Sequence, residues 1–563
     1  MQSILIVLFG IAGMLFGWFV YSKFIATKIF KMDDNFVTPA HELNDGVDYV
    51  PTNKLVLWGH HFTSVAGAAP IVGPAIAVYW GWVPAVLWVV FGTIFFAGVH
   101  DMGALWASTR HKGKSMGALS ESVIGKRTRV LFMIVVFLLL LMVNAVFGVV
   151  IANSLVANPS AVVPAWAAIV VALIIGQLLK RQIPLIPLCV IGVAVLYATI
   201  FMGAEMPVSL PTEIFGLTDK ANWIVILFIY AAVASLLPVW MLLQPRDFIN
   251  GMQLLVGLVL LYGAVFVVMP DITAPAFNTQ TAIDTPSIIP LLFVTIACGA
   301  VSGFHGIVSS GTSSKQLDKE TDGRFVGYLG AVGEGCLALI TLVAVSGVML
   351  AVSPEEWHEI YSHLGAGSVS AFITGGSNLI SEGWGFSAEI AATLLAVMVV
   401  LFAGTTMDSG VRLQRYIIQE WGDIYNISVL KNGLVATFVA VACCLLLAFG
   451  AGGASGTGGM VLWPLFGSTN QILASLTLLV LSVYLIKLGR PAKYTLIPMV
   501  FVILMAFFAG LIKLVEYYEK GNWLLVVLDL IVLVVSVLVM LEAWSVIGKH
   551  KQNKTSDEGE IEN

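Results

Sequence analysis

The sequence predicts an all-α polytopic membrane protein of about fifteen transmembrane helices, and three observations carry that prediction. Of the 563 residues, 58% are hydrophobic and only 11% are charged, with a mean hydropathy of +0.94, whereas a soluble domain carries roughly 25% charged residues. Apolar runs of about twenty residues, enough to cross roughly 30 Å of hydrocarbon at about 1.5 Å per residue, recur along the whole chain. Lys and Arg gather in alternate predicted loops, as they do when a span count is correct.

The spans fall near Ser3–Tyr21, Leu55–Val78, Pro84–Thr109, Val130–Asn153, Pro164–Leu179, Ile183–Gly203, Trp223–Leu243, Gly251–Val268, Ile288–Thr312, Gly327–Val352, Phe386–Met407, Gly433–Gly450, Met460–Ile486, Tyr494–Val515 and Trp523–Ile547. No charge precedes the first span, and Lys23, Lys28 and Lys31 follow it. Its amino end is therefore expected outside, and without a basic leader it should be retained rather than cleaved. With that start, all of the 28 Lys and Arg except Lys220, Lys513 and Lys520 fall in cytoplasmic loops or the carboxyl tail, Arg246 among them. The external stretch Ser353–Gly385 carries Glu355, Glu356, Glu359 and Glu382 and no Lys or Arg. The polar end, 549–563, reads as a disordered cytoplasmic tail. Cys189, Cys298, Cys336, Cys443 and Cys444 lack metal-ligand spacing and read as small apolar packing residues. The net charge of −5 points to no nucleic-acid partner.

A helix that only sits in lipid has no use for histidines, carboxylates or clustered hydroxyls, each of which costs a few kcal/mol at mid-membrane when unpaired. The second span departs from that pattern with His60, His61, Thr63 and Ser64, followed by Gly67, Pro70, Gly73 and Pro74. Prolines and glycines so close together interrupt a helix. The ninth span repeats the theme with Gly299, Ser302, Gly303, His305, Gly306, Ser309, Ser310 and Gly311. By the charge count these two spans run in opposite directions, and such a pair of interrupted spans marks the central site of a secondary transporter, where freed backbone groups hold an ion or a carboxylate. Small residues permitting close helix packing are the structural alternative.

Further polar groups point the same way. His100 and Asp101 lie in the middle of the third span and Glu334 in the tenth, each a candidate proton carrier. Thr405, Thr406, Asp408 and Ser409 close the eleventh span with oxygens suited to Na⁺ or a proton relay, and Arg412 and Arg415 follow as possible partners of Asp408 or of a substrate carboxylate. Ser468, Thr469, Asn470 and Gln471 open the thirteenth span, with interhelical hydrogen bonding expected of at least two. His60, His61, His100, Asp101 and His305 could together hold zinc or iron. Adjacent histidines diverge by about 100° on a regular helix, so that set requires an unwound backbone at His60. Lys315 lies in no Walker loop, and coupling to an ion gradient is expected rather than ATP hydrolysis.

The strings GHHFTSVAGAAPIVGPAIA, GVHDMGALW, VSGFHGIVSSGTSSKQL, EGCLA, TTMDSGVRLQRY and LWPLFGSTNQILA together resemble the carbon starvation protein A (CstA) family of bacterial transporters along nearly the whole chain. With the carboxyl terminus placed in the cytoplasm by the loop charges, the resemblance implies uptake of peptides or pyruvate, coupled to protons, in the bacterial inner membrane. It also implies a LeuT/APC-like inverted-repeat core whose broken helices are the second and ninth spans. Seven spans separate the two, where a five-plus-five core gives five; either two helices are inserted or the repeat is seven-plus-seven. Insertion is preferred: a peripheral helix at 3–21, a first repeat at 55–203, inserted helices at 223–268, a second repeat at 288–486 and peripheral helices at 494–547. His60, His61, Thr63, Ser64, Gly67, Ser302, His305, Ser309, Ser310, Asn470 and Gln471 are the expected substrate contacts. His100, Asp101, Glu334, Thr405, Thr406 and Asp408 are the expected groups for coupling to H⁺ or Na⁺. No cofactor is required; a metal ion on the His/Asp set, a nutrient receptor and a metal-dependent membrane enzyme are the alternatives.

Overall fold

In the computed structural model, residues 2–561 are described except 47, 182, 215, 239, 279–285, 349–353, 363–367 and 453–460. The predicted ends Val352 and Met460 lie outside the described residues, as do the side chains of Glu355 and Glu356.

Thirteen helices of the described residues are long and apolar enough to cross a membrane. They are α1 (Gln2–Ile29), α4 (Trp82–Arg110), α5 (Lys126–Ala157), α6 (Pro159–Leu179), α7 (Pro187–Glu205), α8 (Asp219–Leu236), α9 (Pro245–Val268), α12 (Arg324–Gly347), α14 (Ala388–Ile424), α15 (Gly433–Gly450), α16 (Trp463–Lys487), α17 (Lys493–Glu519) and α18, of which Trp523–Glu542 is the apolar part. The second predicted span resolves into α2 (Lys54–Val65) and α3 (Ala69–Ala77), bent by 48°. The ninth resolves into α10 (Ile288–Thr295) and α11 (Gly303–Gly311). All fifteen predicted spans therefore have counterparts, two of them interrupted.

One further helix, α13 (Ser368–Trp384), occupies the stretch expected as an external loop. Its buried Phe372, Ile373, Leu379 and Ile380 pack it onto the bundle. Its apolar runs of two or three residues, separated by Gly, Ser, Thr and Asn, are too short for a span search. The carboxyl end, expected as a disordered tail, continues α18 to Ile561, in keeping with the helix-forming Lys, Gln and Glu there.

Helices α5, α12, α14 and α16 are buried along most of their length, whereas α15, α17 and α18 turn Phe438, Leu446, Ile497, Val515 and Trp544 outward, as a lipid-facing shell requires. The basic loops meet at one end of the bundle. Lys487 Nζ donates to the Val123 carbonyl at 2.6 Å, Arg490 to the Phe30 carbonyl and Arg110 to Glu320, so the loops after α1, α4, α11 and α16 share a side. Arg246 departs from the loop count. It lies near the start of α9, only 2% exposed, with its guanidinium paired inside the bundle. One Pro-Arg-Asp step beside apolar sequence looks like a membrane boundary, and only tertiary structure shows the charge to be matched.

The two interruptions differ in construction. Between α2 and α3 the chain leaves the helix at Ala66 (φ −78°, ψ 33°), and Pro70 starts α3 in the first turn, where no amide donor is needed. Between α10 and α11 the unwound segment is longer, and Gly299 takes φ +90°, a conformation that favours glycine. The interruptions touch. A methyl group on Gly73 would lie 2.5 Å from the Thr295 carbonyl oxygen, and one on Gly299 would lie 3.6 Å from Pro70 Cβ.

Candidate functional site

His60 and His61 sit on regular helix, so their side chains leave α2 in different directions. His61 Nδ1 is 2.8 Å from Ser313 Oγ, at the far end of α11, and its ring lines the wall beside Gly330. His60 Nδ1 faces α9 instead, 3.3 Å from Asp247 Oδ2. The predicted metal set therefore does not assemble: the backbone does not unwind at His60, and the two rings serve separate clusters.

The first cluster centres on His305 in the first turn of α11. His305 Nδ1 lies 2.8 Å from Asp101 Oδ2, and the other oxygen of Asp101 lies 2.7 Å from His100 Nδ1. On its opposite side His305 Nε2 faces Glu334 Oε2 at 3.3 Å. All four side chains are buried, and neither Glu334 oxygen has a hydrogen-bond partner. With Asp101 accepting Nδ1–H from both imidazoles, His305 Nε2 and Glu334 are left as two acceptors face to face. A proton between them removes the repulsion, and it can reside on either side.

The backbone groups released by the longer interruption are largely taken up by side chains. Trp88 Nε1 donates to the Ile296 carbonyl at 3.1 Å, Thr93 Oγ1 to that of Gly299 at 3.1 Å and Gln471 Nε2 to that of Phe293 at 2.5 Å. Asn470 accepts from the Phe304 amide at 3.0 Å and donates to Ser302 Oγ at 3.0 Å and towards Cys298 Sγ at 3.3 Å. The unwound segment is thus held open by α4 and α16, and Asn470 and Gln471 serve as its scaffold. Buried amides and carbonyls left unpaired would cost about 1–3 kcal/mol each.

The second cluster was not assembled from sequence. Arg246 of α9 is ion-paired with Asp408 of α14 and donates to Tyr230 Oη at 2.7 Å, while the Tyr230 hydroxyl donates to Asp408 Oδ2 at 2.8 Å. Asp247 lies beside Arg246 at 3.4 Å, and Asn250 donates to Thr405 Oγ1 at 2.8 Å. Tyr230 and Arg246 also line an apolar cleft formed by Ile151, Leu155, Trp166, Leu227, Val400 and Leu401. Arg412, the arginine expected beside Asp408, instead donates to the Ala234 and Leu237 carbonyls at the end of α8. It caps a helix and binds its dipole.

The remaining predicted hydroxyls are mostly used within their own helices. Thr63, Ser64, Ser310, Thr405 and Thr406 donate to the carbonyls of Gly59, His60, Gly306, Leu401 and Phe402. Ser468 and Thr469 do the same with Pro464 and Leu465. Ser309 Oγ is buried without a partner. Gly67 has its Cα face against Thr406 and Phe147. Among the described residues, Cys298, His305 and Glu334 lie within 4.8 Å of one another through atoms able to ligate a metal. Cys298 was read from sequence as apolar packing, because a lone cysteine carries no spacing signal.

Comparison with known proteins agrees with the fold. A family model described as "Carbon starvation protein CstA" matches residues 2–353 and 344–509. The "Peptide transporter CstA" of Campylobacter jejuni is 32% identical, over 92% of this chain and 81% of that protein. The "Pyruvate/proton symporter BtsT" of Escherichia coli is 31% identical, over 91% of this chain and 82% of that protein. Among solved structures, a manganese transporter of Eremococcus coleocola superposes with a TM-score of 0.51 at 11% identity, over 90% of this chain and 99% of that one. That likeness shows the fold, which is of the LeuT type.

Proposed function

The chain belongs to the carbon starvation protein CstA family of membrane transporters, and from that membership we propose that it is a proton-coupled importer of a small carboxylate-bearing nutrient, short peptides or pyruvate, working by alternating access. The observation that carries this reading is the buried His305–Glu334 contact beside the longer interruption, backed by Asp101 and His100. It holds one proton between two acceptors inside the bundle, on a helix pair of the kind that rearranges when a transporter of this fold alternates. Arg246, which lines the apolar cleft with its Tyr230 neighbour, supplies a buried cation that a substrate carboxylate meets as Asp408 gives way. Coupling to protons is favoured over sodium, because Asp408, the carboxylate near Thr405 and Thr406, is already neutralised by Arg246.

The clustering of the basic loops at one end supports a bacterial inner-membrane protein with the amino terminus outside and the carboxyl terminus cytoplasmic. The deciding experiment is uptake of labelled pyruvate and of di- and tripeptides into proteoliposomes. Accumulation driven by an inward proton gradient, collapsed by a protonophore and indifferent to sodium, is expected. No accumulation under either gradient overturns the reading.

A further inference from the structure

We propose that Cys298, His305 and Glu334 form a binding site for a borderline-soft divalent transition metal, with zinc the ion their chemistry fits. The site goes beyond the transport reading: it uses the same imidazole and carboxylate but needs no substrate and no turnover.

The ligands come from three separate segments, the unwound stretch before α11, the first turn of α11 and the middle of α12. Their Sγ, Nε2 and carboxylate oxygen atoms all lie within 4.8 Å of one another. The His305 Nε2 to Glu334 Oε2 separation of 3.3 Å matches the edge of a tetrahedron whose metal–ligand bonds are about 2.0–2.2 Å. Thiolate, imidazole and carboxylate are the donors zinc accepts, and three protein ligands leave its fourth position open.

The surroundings are also those of a metal site. Asp101 on His305 Nδ1 fixes the tautomer that presents the Nε2 lone pair, the carboxylate–histidine arrangement that orients metal-bound imidazoles. Ser302 and Asn470 both lie 3.3 Å from Cys298 Sγ, placed to hydrogen-bond a thiolate. His305 Nε2 and both Glu334 oxygens are buried without hydrogen-bond partners. His305 Nε2 and Glu334 Oε2 need something positive between them, and a cation can take the place of the shared proton.

Binding balances simply. A divalent ion enters, the Cys298 S–H proton and the proton shared by His305 and Glu334 leave, and the ion with one thiolate and one carboxylate is neutral overall. Metal and shared proton therefore exclude one another, so affinity falls as pH falls.

Purified full-length protein titrated with Co²⁺ tests this directly. One ion per chain is expected, with thiolate-to-cobalt charge-transfer absorption that stoichiometric Zn²⁺ abolishes by displacement. Cys298→Ser should remove the absorption although the other four cysteines remain, and its hydroxyl keeps the bonds to Ser302 and Asn470. Glu334→Gln should weaken cobalt binding, and Asp101→Asn should weaken it about tenfold or more while keeping the absorption. A wild-type protein without the charge-transfer band overturns the site, and so does a band that survives Cys298→Ser. Because the readout is metal binding, failure here leaves proton-driven uptake standing, and failure of uptake leaves this result standing.

Discussion

Arg246 and Asp408, 162 residues apart in the chain, are each other's ion partner inside the helix bundle, and the Tyr230 hydroxyl bridges them. Both side chains are almost fully buried, so neither charge has water to turn to if the other is removed. Replacing one member of such a pair costs about 3–5 kcal/mol, whereas replacing both by apolar groups of similar volume is often neutral. Asp408→Ala should therefore lower the thermal unfolding midpoint of the purified protein sharply, and Arg246→Met combined with Asp408→Leu should recover most of the loss while failing to transport. Equal destabilisation by the single and double variants would mean that the pair is not coupled.

His305→Ala should reduce uptake to background while membrane expression is retained, since its one ring contacts both Asp101 and Glu334. His61→Ala is also expected to abolish uptake, through loss of the ring that ties α2 to Ser313 across the end of α11. His60, partly exposed and directed at Asp247, should tolerate Ala better than either. Counterflow of labelled substrate across proteoliposomes separates the cases. Unchanged uptake in His305→Ala would remove that residue from the site.

The membrane spans and the two interruptions were legible because hydropathy, proline and glycine act locally: Pro70 and Gly299 do at the breaks what their backbones dictate. His305, Asp101 and Glu334 could be suspected from their cost in lipid, yet their meeting depends on three helices and no spacing encodes it. Arg246 illustrates the opposite failure. A charge at the edge of an apolar run is ordinarily a boundary marker, and its role here exists only because Asp408 and Tyr230 arrive from two other helices. The hydroxyls are a third case. Thr63, Thr405 and Ser310 satisfy themselves on carbonyls four residues earlier, which a sequence cannot distinguish from a ligand contact.

At Gly73 the two interrupted crossings approach closely, its Cα face set against the Thr295 carbonyl. A methyl group there has no flexible side chain to displace, only backbone, and overpacking of this kind costs about 1–3 kcal/mol. Gly73→Ala should lower both thermal stability and uptake. Gly117→Ala is the control, because the nearest atoms to its new methyl would be 3.8 Å away, an ordinary contact. Indistinguishable behaviour of the two variants would show that the crossings are free to separate at Gly73.

Glu320, between α11 and α12, is 1% exposed and accepts from the Arg110 guanidinium and from the Asp33 amide at 2.7 Å. Around it, Thr38 Oγ1 donates to the Leu317 carbonyl at 2.6 Å, His41 Nε2 contacts Asp318 at 2.8 Å, and Thr52 bridges to Leu317 in a strand-like pair. The segment joining the helices that carry His305 and Glu334 is thus strapped across one end of the bundle, to the loop after α1 and to the end of α4. Opening the site towards that end requires the strap to yield. Glu320→Gln keeps the shape and an acceptor for Asp33 but removes the charge that Arg110 neutralises, a loss of about 1–3 kcal/mol for a charged hydrogen bond. The strap should then open more often, and a cysteine introduced at the buried Ser314 should react faster with a membrane-impermeant thiol reagent than it does with Glu320 intact. Labelling is counted above the same chain with Ser314 retained, so the native cysteines cancel. An unchanged labelling rate would mean that the closure of this end rests on helix packing and not on the Arg110–Glu320 pair.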